Sequence, residues 1–357
     1  MKEDQHIVYD NAVEAGNKIL ANTALLSIYG ERRITRSRLL NSAFKGNLTV
    51  KVEAGLGWRV NETVAFAATA LSYEENDYSI IAAYDNVTGL LTLQKPLNQY
   101  HWGAPVSTAA SYNGVDMRGE VMLMSRNIRI VGNDTEKWGC QVVTSDFLES
   151  SGEIRIGRTF LDHVELYNCS QYDTWKAALR FDNANKGSSR VSNCSIHQSQ
   201  GVAVEINESK NIIVETTNIF VAFKFGINIV TSSNITIDRN WVVGILWRHL
   251  AALILGDPNA GIVMCGEKEG DKCFDVRVTN NVVASVEDTG VDTTGYSVMN
   301  HKCGDYQTVV FQNNIAHSVS GYGAIIFRNQ SDDGSRTCLE ASKFIAYKNR
   351  IAGIVSN

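Results

Sequence analysis

Alternating charged residues in the first third of the chain could support chemistry. Asp116, Arg118 and Glu120 occupy every second position, and in a strand such residues share one face of the sheet. Two carboxylates beside a cation suit glycoside cleavage, in which one acts as an acid and the other as a base or nucleophile. Asp116 and Glu120 are therefore candidate catalytic residues. The same pattern also fits a salt-bridged junction between two structural units, which is the interpretation we prefer.

A second group combines charges with aromatic rings. Its candidate sugar-binding residues are Tyr172, Trp175, Lys176 and Arg180, flanked by the carboxylates Asp173 and Asp182. Aromatic faces stack on sugar rings, while a few charged groups fix the orientation of a ligand. The group predicts a glycan-binding strip, with Asp182 as a third catalytic candidate. The alternative is ordinary packing beneath a solvated face.

A third group is acidic and lies later in the chain. Its members are Glu287, Asp288, Asp292, His301 and Asp305. Carboxylates on neighbouring strands could bind Ca²⁺ or form an acid/base pair, but acidic loops are common and nothing in the sequence sets their geometry. No Cys/His cluster has zinc spacing and no nucleotide-binding glycine motif occurs. Apart from possible Ca²⁺, no metal site or cofactor is predicted.

The composition of the 357 residues limits the class of protein. Apolar residues make up 44% and charged residues 20%, as in a globular protein. The net charge is -5 with no basic block, which argues against a nucleic-acid partner. The longest apolar candidate for a membrane span, residues 242–255, is short and is interrupted by Arg248 and His249, so no membrane span is predicted.

One asparagine recurs before or within short apolar runs, and this suggests the elements that must position these groups. It stands at Asn168, Asn193, Asn218, Asn240, Asn281, Asn314 and Asn349. The first three intervals are 25, 25 and 22 residues, and the later ones are 41, 33 and 35. A period in the twenties is typical of the coils of a solenoid.

A glycine that opens a strand recurs out of phase with the asparagine. It stands at Gly201, Gly226, Gly261, Gly295 and Gly323. Together the two markers predict an all-β fold, a right-handed parallel β-helix. Asparagine tolerates the left-handed turn conformation, and its amide can bond to the same residue one coil away. We therefore expect a structural ladder of Asn168, Asn193, Asn218 and Asn240.

The chain is predicted to have two parts. Residues 1–115 contain short alternating strands and the hairpin turn Asn86-Val-Thr-Gly, typical of a β-rich module that caps the solenoid end. Residues 116–357 form the coils, with the longest insertion at about 244–273. Residues 245–255 within it could form a short helix.

Seven cysteines are compatible with an oxidising compartment. Cys265 and Cys273 bracket a polar loop and are candidates for a local disulfide. Cys303 and Cys338 are candidate partners across adjacent coils. Cys169 and Cys194 each follow a ladder asparagine, so they would stack one coil apart, either bonded or as two buried thiols.

Nine Asn-x-Ser/Thr sequons occur, which favours a secreted glycoprotein. The predicted glycan acceptors are Asn47, Asn61, Asn86, Asn207, Asn234 and Asn329. Asn168 and Asn193 also lie in sequons but, as inward ladder residues, are predicted to carry no glycan. The first residues lack the apolar core of a signal peptide, so we expect a piece of a longer secreted chain.

Several stretches resemble the fibrocystin-like family. The most specific is residues 114–132, with Asp116-Met-Arg-Gly-Glu-Val followed by Arg126-Asn-Ile; others are Gly57-Trp-Arg-Val-Asn-Glu-Thr, Trp138-Gly-Cys-Gln-Val and Val164-Glu-Leu-Tyr-Asn-Cys-Ser. In that family a β-rich module named for eight glycines leads into parallel β-helix repeats. The resemblance implies a large modular protein outside the cell or on its surface, often at cilia or in a glycocalyx.

The same resemblance extends to cell-surface hyaluronan depolymerases, which typically carry a Tyr-Pro-x-His-Phe-His string. The equivalent place here, residues 174–182, has neither histidine. The sequence therefore favours a non-enzymatic scaffold or adhesion glycoprotein, with a polysaccharide hydrolase or lyase as the alternative. Expected partners are extracellular glycans, other surface proteins, or further copies joined through open coil ends.

Overall fold

The computed structural model describes nine stretches: residues 18–110, 113–133, 137–172, 174–247, 259–265, 273–287, 293–302, 309–329 and 339–356. Within them, three parallel sheets wind around one apolar interior, so the predicted all-β parallel β-helix is confirmed. We number these sheets 1 to 3 in the order in which each coil visits them. A fourth, antiparallel sheet forms a separate module beside them.

The strands are numbered in chain order. Sheet 1 contains β1 (Ile19–Asn22), β10 (Gln141–Thr144), β15 (Leu179–Asp182), β18 (Val204–Asn207), β21 (Phe225–Val230), β24 (Ala260–Val263), β27 (Thr294–Lys302), β30 (Tyr322–Asn329) and β33 (Ala352–Ser356). Sheet 2 contains β2 (Leu25–Tyr29), β13 (Arg158–Asp162), β16 (Ser189–Ser192), β19 (Lys210–Glu215), β22 (Ser233–Asp238), β25 (Phe274–Thr279), β28 (Val309–Gln312) and β31 (Leu339–Ser342).

Sheet 3 contains β9 (Ile128–Val131), β14 (Val164–Tyr167), β17 (Ser195–His197), β20 (Asn218–Phe223), β23 (Trp241–Leu246), β26 (Val282–Val286), β29 (Ile315–His317) and β32 (Ile345–Tyr347). The antiparallel module has the order β3 (Arg36–Arg38), β8 (Glu120–Leu123), β5 (Thr63–Phe66), β6 (Asp77–Asp85), β7 (Leu90–Leu93) and β4 (Thr49–Lys51). A small hairpin pairs β11 (Phe147–Leu148) with β12 (Ile154–Arg155), and 3-10 turns cover Tyr73–Glu75 and Val106–Thr108.

The coil interior is built from columns of stacked aliphatic side chains. In sheet 3 the register aligns Leu166, Ile196, Ile219, Val242 and Val283, and all five are fully buried. Branched side chains suit this position because they pack well on a pleated surface. The repeated alternation seen in the sequence thus becomes one continuous core.

An asparagine ladder lies at the corner between sheets 2 and 3. The Nδ2 of Asn240 donates to the Oδ1 of Asn281 at 3.1 Å, and the Nδ2 of Asn281 donates to the Oδ1 of Asn314 at 3.1 Å. Each Oδ1 also accepts from the backbone N–H one coil away, at 2.8 and 3.0 Å. All three residues are fully buried, so the ladder satisfies polar groups that water cannot reach.

Three of the four expected ladder residues lie elsewhere. Asn193 (φ 52°) occupies the left-handed position one residue before the ladder column, and its Nδ2 donates to Asp162. Asn168 (φ 53°) turns the chain after sheet 3 instead. Asn218 lies one residue past the column and donates to Thr35 O in the module. Sequence intervals of 22 to 25 residues do not distinguish these neighbouring corner positions.

The recurring glycines have a packing reason. A Cβ on Gly226 would lie 2.3 Å from Cγ1 of Val242, and one on Gly261 would lie 2.2 Å from Cγ1 of Val283. Gly226 and Gly261 lie at the start of their sheet 1 strands, directly against inward side chains of sheet 3. The backbone must come closer than any side chain allows, so only glycine fits.

The antiparallel module lies along the flank of the coils. Ala65 of β5, Met122 of β8 and Met124 just after β8 pack against Phe220 and Val243 on the outer side of sheet 3. The other face of the module covers its own core around Phe66 and Leu91. Both faces of β5 and β8 are therefore buried, and the module packs beside the coils and not over the end of the solenoid, where the sequence placed it.

Strand pairing also crosses the predicted division at residue 115. β1 and β2 lie before it but pair in parallel with β10 and β13 of the coils. β8 lies after it but pairs antiparallel with β3 and β5 of the module. The module is thus inserted between two strands of the first coil. Short apolar strands carry no sequence signal of which partner they will choose.

The predicted insertion at 244–273 contains β24 and the end of β23. Residues 248–258 and 266–272 lie outside the described residues, and so does most of the segment for which a short helix was predicted.

Candidate functional site

The first candidate group forms a buried ionic junction between the module and sheet 3. The Oε1 of Glu120 lies 2.6 Å from Arg38 Nη1, and its Oε2 lies 3.3 Å from Nε2 of His317. Tyr347 stacks on His317 with ring centroids 4.7 Å apart. Asp116 holds the Arg118 guanidinium through Nε and Nη2, at 2.9 and 2.7 Å.

The environment of Glu120 keeps it charged. Burial alone would raise the pKa of Glu120, but the charges of Arg38 and His317 outweigh burial and lower it to about 2. A carboxylate that is ionised and enclosed in this way cannot donate a proton near neutral pH. The geometry of the junction fits docking of the module.

The second group lies on the loop between β14 and β15 and at the start of β15. Trp175 is 44% exposed and covers the guanidinium of Arg180, whose centre lies 4.3 Å from the ring centroid. Arg180 and Lys176 are buried, and Arg180 Nη2 lies 3.7 Å from Asp182 Oδ2. Tyr172 is half-buried, with Lys137 Nζ 5.0 Å from its ring centroid. The rings of Tyr172 and Trp175 are therefore the accessible part, while Asp173 lies outside the described residues.

Sequence reasoning missed the residues that continue this group along sheet 1. Strand register aligns Arg180 with Glu205 and then Asn228, and it aligns Asp182 with Asn207. Asn228 Nδ2 donates to both carboxyl oxygens of Glu205 at 3.1 and 3.0 Å, and Asn207 Nδ2 donates to Asp182 at 3.1 Å. We call these five residues the sheet 1 row. The signal available in the sequence was Glu205 itself, a charge within an apolar strand.

Glu205 differs from Glu120 in its ionisation. Burial raises the pKa of Glu205 to about 8, because the Asn228 hydrogen bonds and the more distant charges of Lys224 and Arg180 compensate only in part. The row therefore carries a protonated carboxyl near neutral pH, one coil from Asp182.

The acidic group provides no metal centre among the described residues. Glu287 Oε2 accepts from the backbone N–H of Trp247 at 2.6 Å. Asp288, Asp292 and Asp305, together with the side chain of His301, lie outside what the structure describes. In the described part of the chain, no three His, Cys, Asp or Glu side chains gather as a metal ion would require.

A disulfide joins two coils near the aromatic loop. It links Cys140 to Cys169, whose Cα atoms are 4.2 Å apart. Cys265 and Cys273 are buried and not bonded to each other, and Cys303 and Cys338 lie outside the described residues. Cys194 is a buried thiol at a different corner from Cys169, and burial raises its pKa to about 12.

The predicted glycan acceptors differ in how available the amide nitrogen is. Asn61 and Asn86 are exposed and Asn47 is half-buried, and each uses its Oδ1 as an acceptor. The Nδ2 atoms of Asn207 and Asn234 instead donate to Asp182 and to Asn211. The side chain of Asn329 lies outside the part of the chain that the structure describes.

Sequence comparison identifies relatives of a large part of the chain. A family model described as "Right handed beta helix region" matches residues 74–242 and 160–301. Fibrocystin-L of Homo sapiens is 22% identical over 234 residues, which cover 61% of this chain and 6% of that protein. Fibrocystin-L of Mus musculus is 25% identical over 227 residues, 52% of this chain and 5% of that protein. The resemblance to fibrocystin-like proteins is confirmed, and the chain spans about a twentieth of these relatives.

Solved structures of similar shape superpose only loosely. The catalytic domain of a GH87 alpha-1,3-glucanase in complex with nigerose has 13% identity and a TM-score of 0.30, over 93% of this chain and 68% of that one. The tailspike protein gp49 from Pseudomonas phage LKA1 has 12% identity and a TM-score of 0.27, over 91% and 49%. At such scores these proteins say nothing about what this chain binds. Among the described residues, no helix has the length and hydropathy needed to cross a membrane.

Proposed function

The chain belongs to the right-handed β-helix family, and on this premise we propose that it is a segment of a non-enzymatic extracellular or cell-surface scaffold that binds glycans. The Cys140–Cys169 disulfide supports an oxidising compartment. The stacked coils and the module docked along them supply a rigid body, which suits a spacer or a binding platform better than a mobile catalytic cleft.

The observation that carries glycan binding is the exposed Trp175 ring held on Arg180. The ring is 44% exposed, and the buried guanidinium fixes it from below by a cation–π contact of 4.3 Å. A sugar can lay its C–H face on such a ring at little conformational cost, because the ring is already ordered. Asp182 lies on β15 with Arg180, and Asn207 lies beside it on β18. The polar groups of these two residues would supply hydrogen-bond partners for the sugar.

Substitution of the exposed ring tests this proposal. We expect Trp175→Ala to weaken binding to a polysaccharide at least tenfold in affinity electrophoresis with hyaluronan, chondroitin and pectin. Tyr29→Ala is the matched control, because Tyr29 is 63% exposed on the outer side of sheet 2. Equal loss in both variants, or no binding by the unsubstituted chain, would contradict the proposal.

One observation favours a second function, polysaccharide hydrolysis. Burial raises the pKa of Glu205 to about 8, and Asp182 lies on the adjacent strand, two residues beyond Arg180, the register partner of Glu205. An acid paired with a second carboxylate is the basis of glycoside cleavage. Such an enzyme would release reducing ends, lose that activity in Glu205→Gln, and slow as the pH rises through about 8.

A further inference from the structure

Two aromatic rings lie side by side on the surface of the module. Phe44 is 60% exposed and Tyr100 is 40% exposed, and their centroids are 5.3 Å apart. Mutual backbone hydrogen bonds of 2.8 Å between Ala43 and His101 hold the two segments together. Tyr100 Oη also donates to Ser42 Oγ at 3.1 Å. The rings are therefore ordered before anything covers them.

A tight turn joins Phe44 to an asparagine three residues later. The N–H of Asn47 donates to Phe44 O at 2.9 Å, and Gly46 has φ +88°, as at the third position of a type II turn. The N–H of Phe44 donates back to Oδ1 of Asn47 at 2.8 Å. The oxygen of the Asn47 amide is thus anchored, while its Nδ2 makes no hydrogen bond to any described residue.

Asn47 begins the sequon Asn47-Leu-Thr, and Thr49 is exposed at the start of β4. We propose that Asn47 carries an N-linked glycan whose first sugar packs on the Phe44 and Tyr100 rings, so that the glycan stabilises the module. The C–H face of a pyranose would remove apolar ring surface from water, which favours the contact. The inference deepens the proposed function and rests on it, since the chain must pass through a glycosylating compartment.

In the transfer of the oligosaccharide to Asn47, the amide is the reacting group that this chain supplies. Nδ2 of Asn47 attacks C1 of an oligosaccharide carried on a lipid pyrophosphate. The C1–N bond forms, the C1–O bond breaks, the amide loses one proton and the lipid pyrophosphate leaves.

The remaining sequons make useful references. Asn61 and Asn86 are exposed on the same module, so their occupancy reports whether the glycosylating machinery acted. In Asn193, Asn207 and Asn234 the Nδ2 already donates to another side chain. These three are expected to stay unmodified in the folded chain.

The experiment uses the full chain secreted from eukaryotic cells. Glycopeptide mass spectrometry measures occupancy, and an endoglycosidase then trims each glycan to its first sugar. Melting temperatures are compared for the chain and Thr49→Ala, which removes the glycan but keeps Asn47, each with and without Phe44→Ala. We expect Asn47 to be occupied and the sugar to raise the Tm by about 1–3 °C, an increment that disappears with Phe44→Ala. Tyr100→Ala provides a second variant with the same expected direction.

The outcomes separate the two proposals. If Asn61 and Asn86 are glycosylated and Asn47 is not, the inference is overturned while the scaffold function stands. An occupied Asn47 whose Tm increment survives both ring substitutions overturns the packing of sugar on the rings. Loss of polysaccharide binding by the chain bears on Trp175 and the coils, and it is measured independently of Asn47.

Discussion

At the scale of single residues, Glu120 and Glu205 are both buried, yet their neighbours shift their pKa values in opposite directions. Arg38 and His317 lower the pKa of Glu120 to about 2. Glu205 has neutral Asn228 as its closest partner, and burial raises its pKa to about 8. Glu120 is an ionised carboxylate that links the module to the coils. Glu205 is a neutral acid on the outer side of sheet 1.

Stability should therefore fall in acid through Glu120. Its folded pKa is below the unfolded value, so its contribution is complete above about pH 4.5 and is lost as the pH falls toward 2. Glu120→Gln leaves Arg38 buried without its counter-charge and should cost on the order of 3 kcal/mol at pH 7. In denaturant melts from pH 7 to 3, the unfolding free energy of the variant should fall less with decreasing pH than that of the parent chain. If the unfolding free energy of the variant falls with pH as steeply as that of the parent, Glu120 is not the ionised group responsible.

Glu205 should act in the opposite sense. Its folded pKa is above the unfolded value, so its contribution is complete below about pH 4.5 and is lost as the pH rises toward 8. Glu205→Gln keeps the neutral shape and should stabilise the chain at pH 7 by on the order of 1–3 kcal/mol. The two forms should converge at pH 4 in denaturant melts. Equal stability of variant and parent at pH 8 would show that Glu205 is not buried as a neutral acid.

At the scale of elements, the corners between sheets determine the register of the coils. The asparagine ladder occupies one corner, and glycines occupy the corner where sheet 1 begins. Both residue types were visible in the sequence, and they were sufficient to predict a parallel β-helix. Their exact places were not visible. Asn193, for example, is one residue from the ladder column, and a shift of one residue exchanges a buried position for a turn.

The middle rung of the ladder should be the most sensitive. Asn281→Ala removes the acceptor of Asn240, the donor to Asn314 and a bond to Ile237 O, and leaves these groups buried. We expect a loss of about 2–4 kcal/mol in unfolding free energy. Asn234→Gly is the control, because Asn234 is exposed, has a φ of 53° that glycine adopts without strain, and donates to a neighbouring surface amide at 2.7 Å. It should change stability by less than about 0.5 kcal/mol. Comparable losses in the two variants would argue against the ladder.

The glycine corner should not tolerate a methyl group. Gly261→Ala would place Cβ 2.2 Å from Val283 Cγ1 and 2.7 Å from Gly295 O, and should cost on the order of 3 kcal/mol. Adding Val283→Ala removes the first clash, so the double variant should be more stable than the sum of the two single changes. Simple additivity in thermal melts would contradict close packing of sheets 1 and 3 at this corner.

At the scale of the whole molecule, the module is held along the flank of the coils. Arg36 reaches from β3 to Asn218 Oδ1 at 2.6 Å and to Thr217 O at 2.9 Å, and packs over Trp241. Sequence analysis recognised a β-rich module but not its place. Glu120 connects residues 197 positions apart when it pairs with His317, and local patterns carry no information on such pairs. Glu205 was missed for a related reason, since its partners come from other coils.

We propose that this rigid body binds glycans without cleaving them. The most direct measurement is the chain-length distribution of hyaluronan, chondroitin and pectin after prolonged incubation with the protein, with binding recorded in the same samples. We expect unchanged polymer length together with binding that depends on Trp175. Shortened polymer, with the shortening abolished by Glu205→Gln or Asp182→Asn, would contradict it and establish the hydrolase instead.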